Sequence, residues 1–131
     1  MRGSRTTSRN VALLPLRAQT RASNYLLTLS RLFPGARLGL HVDRRSTRHA
    51  ATPVVAISLG ESAEFVWKRS WKKALPLERL LLRSGDILIF GGAARAMVHG
   101  VERLVAGSAP TALRLGADAG WRRLCITCRE H

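Results

Sequence analysis

The chain has 131 residues, a length that encloses one hydrophobic core but not two. Apolar residues make up 46% of it and aromatic residues 5%, which excludes the composition of a disordered chain. The formal net charge of +14 favours a polyanionic partner such as nucleic acid, although nineteen of the twenty-two basic residues are Arg, which GC-rich genomes also accumulate on inert surfaces. No apolar run reaches 18 residues, so the sequence predicts no transmembrane helix and no membrane partner.

The N-terminal part of the chain is basic and lacks acidic residues. Residues 1–42 contain seven Arg and no Asp or Glu. This pattern is typical of a basic arm that contacts nucleic acid, and also of an organellar transit peptide. No amphipathic period runs through the start of the chain. We therefore interpret residues 1–29 as a basic, poorly defined leader and residues 30–131 as the folded core.

The core is predicted to consist mainly of short β-strands. Its apolar segments are rich in β-branched residues and are bounded by Gly, Pro, Ser or Asp, which indicates an antiparallel sandwich or barrel. Residues 75–85 differ, because Leu77, Leu80 and Leu81 stand at helical spacing before a Gly and predict one or two helical turns. The predicted strands are residues 37–42, 53–60, 63–68, 86–92, 94–101, 111–116 and 123–129.

Two cysteines lie close together near the C-terminus. Cys125 and Cys128 both fall within the last predicted strand. A zinc site would require two further ligands at a related spacing, which the sequence does not supply. We interpret both as strand residues of a protein in a reducing cytoplasm.

Two histidines and one aspartate suggest a metal site. His41 and Asp43 stand two positions apart before a predicted strand, and His99 precedes Gly100 in another, where a glycine allows close approach of a second group. Two imidazoles and one carboxylate on one side of an iron ion leave coordination positions open, as non-haem Fe(II) oxygenases require. An isolated His-x-Asp pair also occurs by chance, so these residues alone leave both interpretations open.

Two arginines of the last predicted strand share one face. Arg123 and Arg129 are six residues apart, and an even spacing places both side chains on the same side of a strand. Two guanidinium groups that point the same way can bind a small dicarboxylate through paired hydrogen bonds. The alternative is a basic face that contacts only water.

Three segments together resemble a known family. The stretch PLERLLLRSGDILIFGGAARAMVHGVERL, residues 76–104, resembles the core signature of the AlkB family, Fe(II)- and 2-oxoglutarate-dependent dioxygenases that repair alkylated nucleic acids. Upstream, FPGARLGLHVD is similar to the segment that carries the family's His-x-Asp pair, and downstream RLCITCR is similar to its closing R-x-N-x-T-x-R strand. The resemblance covers about residues 33–130.

This resemblance implies a fold and a set of site residues. The fold is a mainly β, double-stranded β-helix, a jelly-roll or cupin-like barrel with short helical segments, incomplete at its N-terminus relative to the family. Residues 30–131 would form the dioxygenase core. The implied roles are Fe(II) ligands for His41, Asp43 and His99, binding of the distal 2-oxoglutarate carboxylate for Arg123, and positioning of the co-substrate near the metal for Arg129.

The resemblance also implies a reaction. Dioxygen and 2-oxoglutarate are consumed to hydroxylate an N-methyl group, which leaves as formaldehyde. The implied substrate is single-stranded or damaged DNA, or RNA, and we expect the chain to act as a cytoplasmic monomer. Two alternatives stay open: a fragment that binds nucleic acid without catalysis, and an oxygenase of a protein or small molecule.

The sequence departs from the family pattern at several places. Arg45 replaces an acidic residue that the family often uses to read the damaged base. Cys125 replaces the Asn of the closing strand, which removes a polar contact to the co-substrate. Residues 68–73, KRSWKK, replace the family's usual Gly-rich turn, and the pattern does not decide whether Trp67 or Trp71 stacks on a base.

Overall fold

The computed structural model describes residues 11–16, 25–43, 52–117 and 120–130, and within these ranges the chain forms antiparallel β-strands. Two short 3₁₀ helices, Gly92–Ala96 and Thr111–Ala117, interrupt them. The strands are β1 Val11–Leu16, β2 Tyr25–Leu32, β3 Leu38–His41, β4 Val54–Gly60, β5 Ala63–Lys68, β6 Glu78–Leu82, β7 Ile87–Phe90, β8 Val98–Leu104 and β9 Arg123–Glu130.

The strands are arranged in two sheets. One sheet has the order β1-β2-β9-β4-β7 and the other has the order β3-β8-β5-β6. Consecutive strands along the chain frequently belong to different sheets, so the chain passes from one sheet to the other several times, as in a jelly roll. The observed architecture confirms the predicted mainly β, double-stranded fold.

The hydrophobic core lies between the two sheets. Along β4 the side chains alternate between buried and partly exposed, so that Val54, Ala56 and Ser58 face inward. Val54 and Phe90 from the five-stranded sheet pack with Phe65 from the four-stranded sheet. Leu82 and Met97 complete the buried cluster, and Trp67 and Leu88 pack against it.

Three predicted elements differ from the observed ones. Residues 78–82 form strand β6 rather than a helix, because pairing with β5 outweighs the helical spacing of the leucines. The strand predicted at 94–101 begins only at Val98, after a 3₁₀ turn. The strand predicted at 111–116 is a 3₁₀ helix that begins after Pro110, whose carbonyl accepts a hydrogen bond from the Leu113 amide.

Two strands were not predicted from the sequence. β1 lies within residues 1–29 and β2 crosses the boundary of that segment, and β1 pairs along its whole length with residues 27–32 of β2. β2 also pairs with β9, the strand that carries Arg123 and Arg129. The division between a leader and a core at residue 29 remains a prediction.

Among the residues that the structure describes, no helix is long and apolar enough to cross a bilayer.

Candidate metal centre

His41 and His99 face each other on neighbouring strands. β3 pairs with β8 so that the two residues are direct partners, and their ring centroids lie 4.4 Å apart. The Oδ1 atom of Asp43 lies 3.5 Å from Nε2 of His41 and 3.9 Å from Nε2 of His99. Within the described part of the chain, the ligand atoms of these three residues all lie within 4.8 Å of one another. The sheet therefore brings together the three residues that the sequence singled out.

A glycine permits this close pairing of strands. A Cβ atom on Gly100 would lie 2.5 Å from the carbonyl oxygen of Leu38 and 3.1 Å from backbone atoms of Gly39. Any side chain at this position would push β3 away from β8, and His41 with it. The sequence-based expectation that Gly100 allows close approach of another group is met by the backbone of β3.

Backbone carbonyls orient both imidazole rings. Nδ1 of His41 lies 2.9 Å from the Gly39 carbonyl oxygen, and Nδ1 of His99 lies 3.1 Å from that of Met97. Because a carbonyl oxygen only accepts hydrogen bonds, each Nδ1 carries the proton, and in the neutral ring the lone pair is on Nε2. Both Nε2 atoms face the Asp43 carboxylate, which is the arrangement that outer hydrogen bonds impose on metal-ligating histidines.

Aromatic rings enclose His99. The ring centroid of Phe65 lies 5.6 Å and that of Phe90 5.2 Å from the centroid of its imidazole. Both phenylalanines also line an apolar cleft of about 260 Å³, together with Trp67 and Leu88. The metal centre therefore lies against a water-poor wall of the barrel.

The three groups shift one another's pKa values. Burial lowers the pKa of His41, but hydrogen bonds with Asp43 and with the Gly39 carbonyl outweigh burial and raise it above 6.5. Burial and the neighbouring His41 lower the pKa of His99 below 6.5. Burial raises the pKa of Asp43, but the hydrogen bond with His41 and the charges of His99 and Arg129 bring it below 3.8. At neutral pH Asp43 is ionised and His99 is neutral, as metal ligands must be.

Arg129 lies at the metal centre. Its Nη1 atom is 3.3 Å from Oδ1 of Asp43, the same oxygen that faces both imidazoles. The Asp43 side chain is 13% exposed and that of Arg129 is 24% exposed, so the ion pair is only partly accessible to water. We call the three proposed metal ligands, His41, Asp43 and His99, the triad. Arg129 thus places a guanidinium group beside the carboxylate of the triad.

Arg123 is a buried cation. It is 2% exposed, its Nη1 donates to the carbonyl oxygens of Glu61 and Leu82 at 2.9 and 3.3 Å, and its Nη2 donates to Ser58 Oγ at 2.6 Å. Burial lowers its pKa, although Cys125 and Asp86 act in the opposite direction. Among the residues that the structure describes, no carboxylate lies within ion-pairing distance of it. A buried charge without a counter-ion is costly, and an anionic ligand would relieve that cost.

The inner face of β9 connects the two arginines. Cys125 and Thr127 lie between them on the same face, with Sγ and Oγ1 3.7 Å apart. Six residues of strand separate the Cα atoms of Arg123 and Arg129 by about 20 Å. The even spacing predicted this shared face.

Some residues of the site were missed by the sequence analysis. Ser58 accepts a hydrogen bond from Arg123. The sequence did contain a signal for this role, because Ser58 is a polar residue at an inward-facing position of an otherwise apolar strand. The structure also separates two tryptophans: Trp67 packs against the core, whereas Trp71 is 59% exposed. Arg45, which replaces the family's base-reading acid, lies outside the described residues.

Comparisons with known proteins show which proteins this chain is similar to. The family model described as the 2OG-Fe(II) oxygenase superfamily matches residues 29–129. The chain is 40% identical over 99 residues to the DNA N(6)-methyladenine demethylase ALKBH1D of Arabidopsis thaliana, covering 72% of this chain and 22% of that protein. It is 42% identical over 82 residues to the alpha-ketoglutarate-dependent dioxygenase AlkB of Escherichia coli K12, covering 63% and 37%. The chain thus spans well under half the length of these relatives.

Solved structures show the same fold. The structure of OsALKBH1 superposes with a TM-score of 0.72 at 35% sequence identity, covering 81% of this chain and 48% of that one. An oxalate oxidase superposes with a TM-score of 0.57 at 12% identity, covering 96% and 53%, which shows a shared fold alone.

Proposed function

The chain belongs to the 2OG-Fe(II) oxygenase superfamily and, within it, to the AlkB family, and we propose that it catalyses oxidative demethylation of N-alkylated bases in DNA or RNA. The observation that carries this proposal is the convergence of His41 Nε2 and His99 Nε2 on Oδ1 of Asp43. Two neutral imidazoles and one carboxylate form the donor set of non-haem Fe(II) oxygenases.

The triad residues fit an iron ion. His41 and His99 would bind it through Nε2, because their Nδ1 atoms are committed to backbone carbonyls. Asp43 would bind it through the oxygen that both rings already face. When bound, Fe(II) together with 2-oxoglutarate would supply the oxidation: dioxygen would be consumed, succinate and CO₂ released, and the methyl group converted to a hydroxymethyl group that leaves as formaldehyde. The backbone carbonyls of Gly39 and Met97 orient the two imidazole rings for this role.

The two arginines fit 2-oxoglutarate. Arg123 is a buried guanidinium group that lacks a carboxylate partner among the described residues, and it would bind the distal carboxylate through paired hydrogen bonds. Arg129 lies beside Asp43 and would hold the co-substrate near the metal. A chain with either arginine alone would bind only one end of a dicarboxylate.

Nucleic acid is the substrate class that the chemistry favours. The net charge of +14 attracts the phosphate backbone. ALKBH1D is named as a demethylase of DNA, which supports the same class of substrate for this chain. A base must leave its stack before an enzyme reaches it, and this costs least in single-stranded or damaged nucleic acid.

The first test is spectroscopic. Fe(II) and then 2-oxoglutarate are added to the anaerobic protein, and the visible absorption is recorded for the unmutated chain and for His99→Ala. We expect a charge-transfer band in the unmutated chain and none in the variant, because the variant lacks one of the three ligands. A methylated single-stranded oligonucleotide should then release formaldehyde in step with succinate.

Two results would contradict the proposal. The first is a folded, unmutated protein that gives no band with Fe(II) and 2-oxoglutarate. The second is succinate production in His99→Ala at the rate of the unmutated chain. Circular dichroism of both proteins shows whether each is folded.

A further inference from the structure

The loop between β5 and β6 combines cations with an exposed aromatic ring. We call residues 68–73, KRSWKK, the basic loop; it contains four cations and one tryptophan. No acidic residue occurs between Glu64 and Glu78, so no carboxylate adjacent in sequence neutralises the loop.

Trp71 is held in water on an ordered turn. Its side chain is 59% exposed, whereas Trp67, four residues earlier, packs against the core. The turn is closed by hydrogen bonds from the Lys72 amide to Ser70 Oγ at 3.4 Å and from the Leu75 amide to the Lys72 carbonyl at 3.2 Å. Leaving a large aromatic side chain exposed forgoes the free energy that its burial would provide. An aromatic ring kept on the surface in this way is available to a partner.

The cations of the basic loop are not neutralised by neighbours. On the outer face of the β3-β8-β5-β6 sheet, Arg79 pairs with Glu102 and Arg103 pairs with Glu64, at 3.1 and 2.6 Å. In the part of the chain that the structure describes, no such pair involves a cation of the basic loop. Three of these cations, Arg69, Lys72 and Lys73, are exposed. Their charge is therefore free to attract an anion.

The basic loop begins beside the metal centre. Trp67 is the direct cross-strand partner of His99, which in turn pairs with His41. Paired strand residues lie about 5 Å apart, and four extended residues span at most about 14 Å, so Trp71 lies within about 20 Å of His99 along the backbone. A single strand of nucleic acid bound at the basic loop is thus long enough to reach the triad as well.

We propose that the basic loop binds single-stranded nucleic acid, with Trp71 stacking on a base and Lys72 and Lys73 contacting phosphates. An exposed aromatic ring among unpaired cations is the combination that binds single strands without regard to sequence, because every base offers a face and every nucleotide a phosphate. This inference rests on the proposed function, since it supplies the contact that holds the substrate strand beside the triad.

The test is equilibrium binding of a fluorescently labelled single-stranded DNA 12-mer and of RNA of the same sequence, measured at several salt concentrations. Trp71→Ala should weaken binding by roughly 5- to 100-fold with the salt dependence unchanged, because one base stack is lost. Trp71→Phe should retain most of the affinity. The double variant Lys72→Ala/Lys73→Ala should reduce the slope of log K against log salt by about 1.4, which is two single-strand phosphate contacts.

The matched control removes two cations elsewhere. Arg83→Ala/Arg114→Ala loses the same charge from exposed positions outside the loop, and its slope should stay within about 0.3 of that of the unmutated chain. Affinity in Trp71→Ala equal to that of the unmutated chain would overturn the inference. The inference would also be overturned if the control variant lowered the slope of log K against log salt as much as Lys72→Ala/Lys73→Ala does.

Binding and turnover separate the two proposals. Normal formaldehyde release with no effect of the loop variants on binding refutes the loop contact and leaves the proposed function standing. Loss of binding in Trp71→Ala, in a chain that forms no Fe(II)–2-oxoglutarate band, supports the loop contact and refutes the proposed function. Binding to DNA but not RNA, or the reverse, identifies which nucleic acid the loop accepts.

Discussion

The pKa values of His41 and His99 move in opposite directions although the two rings are in contact. The pKa of His41 is above 6.5 because Asp43 and the Gly39 carbonyl favour its protonated form more than burial disfavours it. The pKa of His99 is below 6.5 because burial and the neighbouring His41 both disfavour its charged form. His41 is therefore the ligand whose proton competes with a metal ion as the pH falls.

This asymmetry predicts how metal affinity depends on pH. A bound metal requires neutral imidazole, so as the pH is lowered Fe(II) affinity should begin to decrease while the pH is still above 6.5. Below the pKa of His41 it should then decrease by about tenfold for each further unit by which the pH is lowered. Arg129 lowers the pKa of His41, so Arg129→Gln should move the start of this decrease to higher pH. Anaerobic metal titrations between about pH 6 and about pH 8 measure both effects. Affinity that does not change over this range would contradict the prediction.

Arg123 supports both the fold and the proposed co-substrate. Its guanidinium group connects the carbonyls of Glu61 and Leu82 to Ser58 Oγ, and a Lys ammonium cannot reproduce this planar set of donors. We expect Arg123→Lys to lower the free energy of unfolding by about 2 kcal/mol, the range for hydrogen bonds to charged groups. Denaturant unfolding measures this change.

Arg123→Lys should also bind 2-oxoglutarate at least about tenfold more weakly, because it loses one bidentate contact with the co-substrate carboxylate. Calorimetric titration of 2-oxoglutarate into the metal-loaded protein measures it. Ser58→Ala is the control, because it removes one hydrogen bond to Arg123 but keeps the guanidinium group. Unchanged co-substrate affinity in Arg123→Lys would exclude Arg123 from the pocket.

Between elements, the spacing of β3 and β8 determines whether the triad forms. Gly100→Ala places a methyl group against the Leu38 carbonyl and should displace β3 together with His41. We expect a loss of about 1–3 kcal/mol in stability, the usual cost of overpacking. Metal affinity should fall more than tenfold. Thermal unfolding and anaerobic metal titration measure the two effects.

A second glycine provides the comparison for this variant. A Cβ atom on Gly91 would lie 3.0 Å from the Pro53 side chain, so Gly91→Ala also crowds a neighbour but does not touch β3. It should lower stability while leaving metal affinity within about twofold of the unmutated value, a range that corresponds to less than about 0.5 kcal/mol. Equal losses of metal affinity in both glycine variants would show that the effect is general destabilisation.

The elements differ in how well the sequence predicts them. β4 and β9 were predicted because each is a short segment that contains β-branched residues and lies near turn-forming residues, a signal that does not depend on distant contacts. β6 was predicted as a helix because Leu77, Leu80 and Leu81 match a helical spacing, and only its pairing with β5 excludes the helix. Leu80 and Leu81 are 44% and 39% exposed, so they do not form the buried helical face that their spacing suggested.

On the scale of the whole molecule, positive charge should govern the strength of nucleic-acid binding. With a formal charge of +14, the chain should bind single-stranded DNA with a slope of log K against log salt of about −2 or steeper, equivalent to three or more phosphate contacts. His99→Ala should keep this slope, because it removes a metal ligand and no cation that contacts phosphate. Salt titrations of both proteins measure it, and binding that is insensitive to salt would contradict the prediction.

The family and the mainly β fold could be predicted from the amino-acid pattern, and the candidate site residues could be singled out from it, because these predictions depend on local signals. These signals are the His41-x-Asp43 pair, the glycine after His99 and the even spacing of Arg123 and Arg129. Comparison with known proteins confirms the AlkB-family resemblance, and the two sheets confirm the fold.

Other properties required the three-dimensional arrangement, because they arise from contacts between residues far apart along the chain. The register of β3 on β8 directs both Nε2 atoms toward one oxygen of Asp43. The packing of the two sheets buries Arg123 and leaves Trp71 exposed to water. Residue types and spacings do not contain this information, since register and burial emerge only when the sheets pair and pack.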